Sequence, residues 1–295
     1  MAVKFKHHTF GERLGTMLKV DFRRMFTMPL LYIMIGVAFV IPILVLVMTT
    51  SLGGTQSGMG TSHSGMNSHH SNVTSISSDF GGSHSIDSVS GTEMTMEPFT
   101  NTWQAIGSAS GEGSGMSMDM TSMCNINLLY FAAAVLVCIF VSDDFRSGYA
   151  KNLFTVRAKK TDYVVSKTLV NWVGSVLMIA AFFVGTVIGG GIAGLSFDLG
   201  TAGVSGLVMC MLAKCALMGV FIPIFLMWST IAKQKLWMSL VGSLMTGMLL
   251  FMMIPMLTPL DSTIVNVLMC LIGGALFSFG LGAVSNKVLN STSLV

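Results

Sequence analysis

Six apolar runs, at residues 29–50, 123–142, 166–194, 204–231, 237–257 and 263–285, decide most of what this chain can become. Crossing the hydrocarbon core of a bilayer as a helix takes about 20 predominantly apolar residues, and each run reaches that length. The 295 residues are 52% apolar and only 10% charged, with a mean hydropathy of +0.74, so the runs are not the core of a soluble domain. The expected fold class is an all-α integral membrane protein with six transmembrane helices. A polar segment, 51–122, rich in Ser, Gly, Thr, Met and His, separates the first two runs, and 286–295 is a short polar tail.

The basic residues set the orientation. Of 16 Lys and Arg, six precede the first run and six lie between Arg146 and Lys167, while Lys233, Lys235 and Lys287 fall on the same side if the chain crosses six times. Segment 51–122 has neither Lys nor Arg but carries Asp79, Asp87, Glu93, Glu97, Glu112 and Asp119. Lys and Arg accumulate on the cytoplasmic side, so both termini are expected there and 51–122 outside. Residues 1–28, polar and amphipathic, precede the first apolar run, which is not the layout of a cleavable signal peptide.

Residues 9–27 read as an amphipathic interfacial helix. Thr9 and Glu12 have the spacing of a capping box. Phe10, Leu14, Met17, Leu18, Phe22, Met25 and Phe26 line one side, and Arg13, Lys19, Arg23 and Arg24 lie mostly on the other. Such a helix lies in the membrane plane with its cations towards anionic headgroups. Pro29 separates it from the first span.

The stretch 143–165 is the most unusual connection. Asp143 and Asp144 open it, and a basic cluster of Arg157, Lys159 and Lys160 closes it, which suits the dipole of a helix of roughly four turns. Phe145, Tyr149, Leu153 and Phe154 recur at steps of about four, as on one helical face. A simple reversal needs far fewer residues, so this surface has the character of a docking element.

The segment Asp-Phe-Arg-Ser-Gly-Tyr-Ala-Lys-Asn-Leu (144–153), the basic residue and Lys-Thr that follow, and Ser166-Lys167 entering a helix resemble the cytoplasmic loop of type-2 ABC exporter permeases. The chain lacks the proline that the family commonly carries around Arg157. The resemblance implies that 143–165 holds a coupling helix seated on a separate ATPase subunit, with Asp143, Asp144, Phe145, Arg146, Tyr149, Lys151, Asn152, Arg157 and Lys160 as the coupling residues. It makes the N-terminal helix, through Phe10, Glu12, Arg13, Arg23 and Arg24, a connecting helix between membrane and ATPase. It further implies a second permease subunit, identical or similar, and a substrate such as a peptide, drug, lipid or polysaccharide. The long outer segment and the small size fit bacterial peptide or antimicrobial export best. ATP and Mg would sit on the partner chain, since this one has no GxxxxGK[ST] pattern and no cofactor motif of its own. Nothing points to nucleic acid, and no Ser/His/Asp set, HExxH or CxxC suggests an enzyme.

Other residues carry more local expectations. Lys214 is the one base deep inside an apolar run, away from its ends, where a charge normally faces protein or a wet cavity. It lines a translocation path, snorkels to an interface, or bonds backbone carbonyls near Pro223. Gly185/Gly189 and Gly190/Gly194 give the third span a four-residue rhythm of small residues that permits close helix approach. Pro42 and Pro223 are candidate kinks, and 98–106 (PFTNTWQAI), with Trp103 and Ile106, a candidate short helix over the outer mouth. Five scattered cysteines form no metal spacing and no disulfide framework.

In the outer segment His63, His69, His70, Met116, Met118 and Met120 are soft ligands of the kind that take Cu(I). Seven of the 26 Met fall in 51–122, close to its share of the length, so the segment is not enriched and no metal site is assigned. Two alternatives to the permease therefore stand: an ion-coupled secondary transporter or channel, and a copper-binding membrane protein using the outer segment. The first would normally place Asp or Glu at mid-membrane, and the spans carry no acid.

Overall fold

The computed structural model describes residues 10–56, 99–107, 125–155, 159–200, 202–233, 235–251 and 253–291. They form α1 (Phe10–Thr27), α2 (Pro29–Gln56), a 3-10 turn (Thr102–Ala105), α3 (Leu128–Arg146), α4 (Tyr149–Thr155), α5 (Lys160–Ala193), α6 (Gly203–Ala232), α7 (Leu236–Phe251), α8 (Met253–Leu257) and α9 (Ile264–Ser291). Five helices, α2, α3, α5, α6 and α9, are long and apolar enough to cross a membrane, and α7 is a shorter apolar helix of 16 residues. The chain is an all-α membrane protein. Helices suit that setting because each satisfies its own backbone polar groups where lipid offers no partner. At 1.5 Å per residue α7 reaches about 24 Å, and α8 carries the same apolar run onward.

The six apolar segments alternate in direction between two ends of one bundle. One end, termed the basic end here, gathers α1, α4, the start of α5 and the last turns of α9, where Lys160 Nζ donates to the Leu289 carbonyl at 2.6 Å. The opposite end gathers the 3-10 turn, the residues after α5 and the turn between α8 and α9. At the centre, α6 packs against α3, α5, α7 and α9. Its Phe221 ring lies 4.7 Å from that of Tyr130 on α3. The outer helices α2 and α9 leave Ile33, Leu44, Leu276 and Phe279 exposed, as side chains facing acyl tails would be.

The small residues of α5 seat α2 directly on its backbone. A Cβ added at Gly185 would overlap the Phe39 carbonyl oxygen, and one at Gly189 would lie 2.9 Å from Ile43 Cα. Pro42 sits at this crossing, and both α2 and α6 continue through their prolines.

The connection expected to hold one helix of four turns is divided. α3 runs on to Arg146, and α5 begins at Lys160, before the expected start of the third span. Between them Ser147 caps α3, its N–H reaching the Asp143 carbonyl at 2.9 Å, and Gly148 takes φ +73°. That left-handed conformation ends one helix and lets the next set off in a new direction, and glycine adopts it without a Cβ penalty. The restarted helix, α4, has seven residues. The short helix anticipated over the opposite mouth is the 3-10 turn, started by a capping box in which Asn101 and Gln104 each accept from the other's backbone. Arg157, Thr9, Cys124 and the candidate soft ligands His63, His69, His70, Met116, Met118 and Met120 lie outside the described residues.

The α2–α5 contact can be tested with paired substitutions. Gly185→Val should destabilise the chain by at least about 1–3 kcal/mol, the usual range for overpacking, because the backbone of α2 cannot yield locally. Gly191→Ala, where nothing lies within 4 Å, should leave thermal unfolding in detergent unchanged.

Candidate functional site at the basic end

The buried stripe of α1 is Met17, Asp21 and Met25, one residue per helical turn, so an acid stands where an apolar side chain is expected. It meets a lysine. Lys167 Nζ, on α5, lies 2.9 Å from Asp21 Oδ1 and 2.7 Å from Asp144 Oδ2, and all three side chains are fully buried. Asp144 ends the apolar run of α3, so three helices distant in sequence converge on one ammonium group. The ring of Phe140 lies 3.9 Å from the same nitrogen and covers it from the membrane side.

Two hydroxyls also donate to these carboxylates. Tyr163 OH donates to Asp144 Oδ2 at 2.9 Å, and Ser166 Oγ donates to Asp21 Oδ2 at 2.6 Å. Arg24, one turn after Asp21, places Nη1 2.5 Å from Asp144 Oδ1 and Nη2 3.7 Å from Asp143 Oδ2. Its guanidinium stacks 4.0 Å over the ring of Tyr149, the first residue of α4. Burial works against the charge of Arg24, but the adjacent Asp144 outweighs it and the guanidinium pKa is raised. Burial and the nearby Asp21 raise the Tyr149 phenol, against the pull of Arg24, so it stays neutral under the cation. Farther along α1, Arg13 Nε lies 3.3 Å from Asp162 Oδ2 at the start of α5.

Two carboxylates thus face two cations, and the set joins α1, α3, α4 and α5. The energetics decide what such a set can do. Taking ions out of water costs several kcal/mol each, roughly balanced by their attraction, so the cluster adds little net stability. Removing one member is another matter, because it strands a buried charge at about 3–5 kcal/mol. The cluster therefore fixes how the helices register against one another.

The expected coupling residues divide accordingly. Asp143, Arg146, Lys151 and Asn152 are exposed, Tyr149 and Lys160 are half-buried, and Asp144 and Phe145 are buried. The face formed by Phe145, Tyr149, Leu153 and Phe154 turns inward, with the Phe154 and Tyr163 rings 5.4 Å apart edge to face. On α1, Phe10, Glu12 and Arg23 are exposed, while Arg13 and Arg24 turn inward onto carboxylates instead of towards headgroups. Asp21, Asp162, Tyr163 and Lys167 are not among the expected site residues. The signal for Asp21 is its place in the apolar stripe of α1.

Lys214 lies apart, at the opposite end. It is 1% exposed, and its ammonium donates to Asn127 Oδ1 at 3.1 Å and Thr258 Oγ1 at 3.0 Å. It neither snorkels nor bonds backbone carbonyls at Pro223; its acceptors are side chains from just before α3 and from the α8–α9 turn. A crevice of about 200 Å³ opens between α2, α3 and α7, lined by Met34, Ile41, Phe131, Val135 and Leu244 among others. Among the described residues no group of His, Cys, Asp and Glu could hold a metal ion.

Residues 88–250 match the family model described as ABC-2 family transporter protein, a stretch covering more than half of the chain and containing α3 to α6 and most of α7. No curated protein and no solved structure matches.

The cluster makes a distinctive prediction. Lys167→Met should lower stability in detergent by about 3–5 kcal/mol, because it strands Asp21 and leaves Asp144 with Arg24 as its remaining cation. Adding Asp21→Asn should recover a large part of that loss, a coupling that thermal melts of the single and double variants measure directly.

Proposed function

The chain belongs to the ABC-2 family of transporter proteins, and from that premise we propose that it is the permease subunit of an ATP-driven exporter carrying an amphipathic substrate, foremost an antimicrobial-type peptide, across a bacterial plasma membrane. Family membership makes it an ABC transporter permease that works with ABC ATPase partners. ATP and Mg are bound by those cytoplasmic subunits. A second permease, identical or similar, completes the path, and lipid surrounds both.

The observation that carries the coupling is the buried cluster. α4 begins under Arg24 and packs its inner face on Tyr163, while Arg146, Lys151, Asn152 and Asp143 project outward next to it. The resemblance of the 143–165 sequence adds Arg157 and Lys160 to the proposed coupling residues. An ATPase gripping these side chains moves α4, and the charges around Lys167 oblige α1, α3 and α5 to follow. The distribution of basic residues supports a cytoplasmic position for this end. With that orientation, the exposed Lys19 and Arg23 of α1 lie at the level of inner-leaflet headgroups.

The apolar crevice between α2, α3 and α7 supports an amphipathic substrate, whose apolar side it suits and whose polar side would face the partner permease. Lys214 belongs to the path in its open form; in the form described here it is closed over.

Reversing the exposed charges tests the reading without touching the buried ones. Arg146→Glu with Lys151→Glu, in the full chain co-expressed with the ATPase of its own cell, should weaken co-purification by at least roughly tenfold, the scale of losing interfacial charge pairs. Undiminished co-purification, or an ATPase-free preparation that still transports, contradicts it.

A further inference from the structure

Lys214 is unlike Lys167 in one respect: among the described residues no carboxylate forms an ion pair with it. A buried ammonium without a counter-ion is held only as long as neutral acceptors stay in place. Its two acceptors belong to different parts of the chain, Asn127 just before α3 and Thr258 just after α8. The backbone carbonyl of Lys214 accepts from Tyr130 OH at 3.2 Å, which fixes the start of α3 against α6 from a second direction.

The same two segments carry residues 99–107, which include the 3-10 turn and form a plug over the opposite end. Ile126 N–H, next to Asn127, donates to the Ala105 carbonyl at 2.9 Å. Gly107 lies against the backbone of Thr258 and Leu260, where an added Cβ would be 3.8 Å from the Thr258 oxygen and 3.6 Å from the Leu260 nitrogen. The far side of the plug is tied to the residues after α5: Thr102 N–H donates to the Ser196 carbonyl at 3.0 Å and Trp103 Nε1 to the Phe197 carbonyl at 3.1 Å. Trp103, Ile106, Leu207, Cys210 and Leu260 close into one apolar cluster beneath it. The Cys210 sulfur, fully buried in that cluster, lies 3.6 Å from the Thr258 carbonyl.

We propose that Lys214 is the positioning residue of an outer gate, holding the 99–107 plug shut through Asn127 and Thr258, with its own uncompensated charge favouring release. When the two acceptors part, the ammonium exchanges them for water, and that hydration offsets the exposure of the apolar cluster as the plug lifts. Two conformations can then lie close enough in free energy for a modest push from elsewhere to choose between them. The proposal rests on the permease reading for its purpose but not for its geometry.

Cys210 is the native reporter. In full-length protein with Cys124→Ser, purified in detergent without any ATPase, a charged thiol reagent should modify Cys210 slowly, as read by peptide mass. Thr258→Val removes one acceptor and leaves the charge, so labelling should accelerate by at least roughly tenfold, as expected for a stranded buried cation. Asn127→Leu should act in the same direction. Adding Lys214→Met to Thr258→Val should return labelling to the parental rate or below, because the charge that drives opening is gone. Loss of packing alone predicts the opposite, with the double variant labelled fastest. That result, or single variants labelled no faster than the parent, overturns the proposal. Since the assay contains neither ATPase nor substrate, failure to find an ATPase partner would leave its outcome untouched.

Discussion

The ammonium of Lys167, buried between the carboxylates of Asp21 and Asp144, is the contact on which the working parts of this molecule depend. Without it, α1 would be held by apolar burial of Met17 and Met25 and by the partly exposed pairs of Arg13 and Arg24, contacts that a helix sliding in the membrane interface can exchange more easily. With it, α1 has one position, because a buried ion has few acceptable partners and each hydrogen bond around these carboxylates has a direction. Hydrophobic contact tolerates small shifts; this arrangement does not. The net stability contributed is small, and the constraint on register is large.

The two ends of the bundle use charge in opposite ways. In the cluster at the basic end, Lys167 and Arg24 are matched with Asp21 and Asp144, and aromatic rings of Phe140, Tyr149 and Tyr163 enclose them. At the other end one cation, Lys214, meets an amide and a hydroxyl among the described residues. The first arrangement is costly to break, and the second is the one we propose to release. A transporter driven from one side needs this asymmetry: a stiff joint where force is applied and a yielding closure where the path ends. α6 lies between them, carrying Lys214 and packing against α5, the helix that carries Lys167.

How much of this is legible in the sequence varies with the range of the interaction. Long apolar runs announce membrane helices because the bilayer enforces length and polarity independently of neighbours, and Gly185/Gly189 announce a close crossing because only glycine admits a backbone there. The break at Ser147–Gly148 is less visible, since the charge gradient across 143–160 favours continuous helix and a single glycine decides otherwise. Asp144 reads as a surface acid because two adjacent acids end an apolar run; in fact α3 carries on past them, exposing Asp143 and turning Asp144 inward. The pairing of Asp21 with Lys167 joins residues from distant parts of the chain, and no local pattern specifies it. What the sequence does offer is an acid out of place in the apolar stripe of α1. Lys214 is visible as a charge in an apolar run, but its partners Asn127 and Thr258 come from the edges of two other runs.

The most direct test of the joint is a distance between α1 and α4 followed through the transport cycle. Spin labels at the exposed positions Lys19 and Lys151, in the full permease assembled with its ATPase, should report the same separation in the nucleotide-free and ATP-trapped states. A change approaching one helical turn, about 5 Å, would mean that α1 and α4 move independently and that the buried charges do not transmit the stroke.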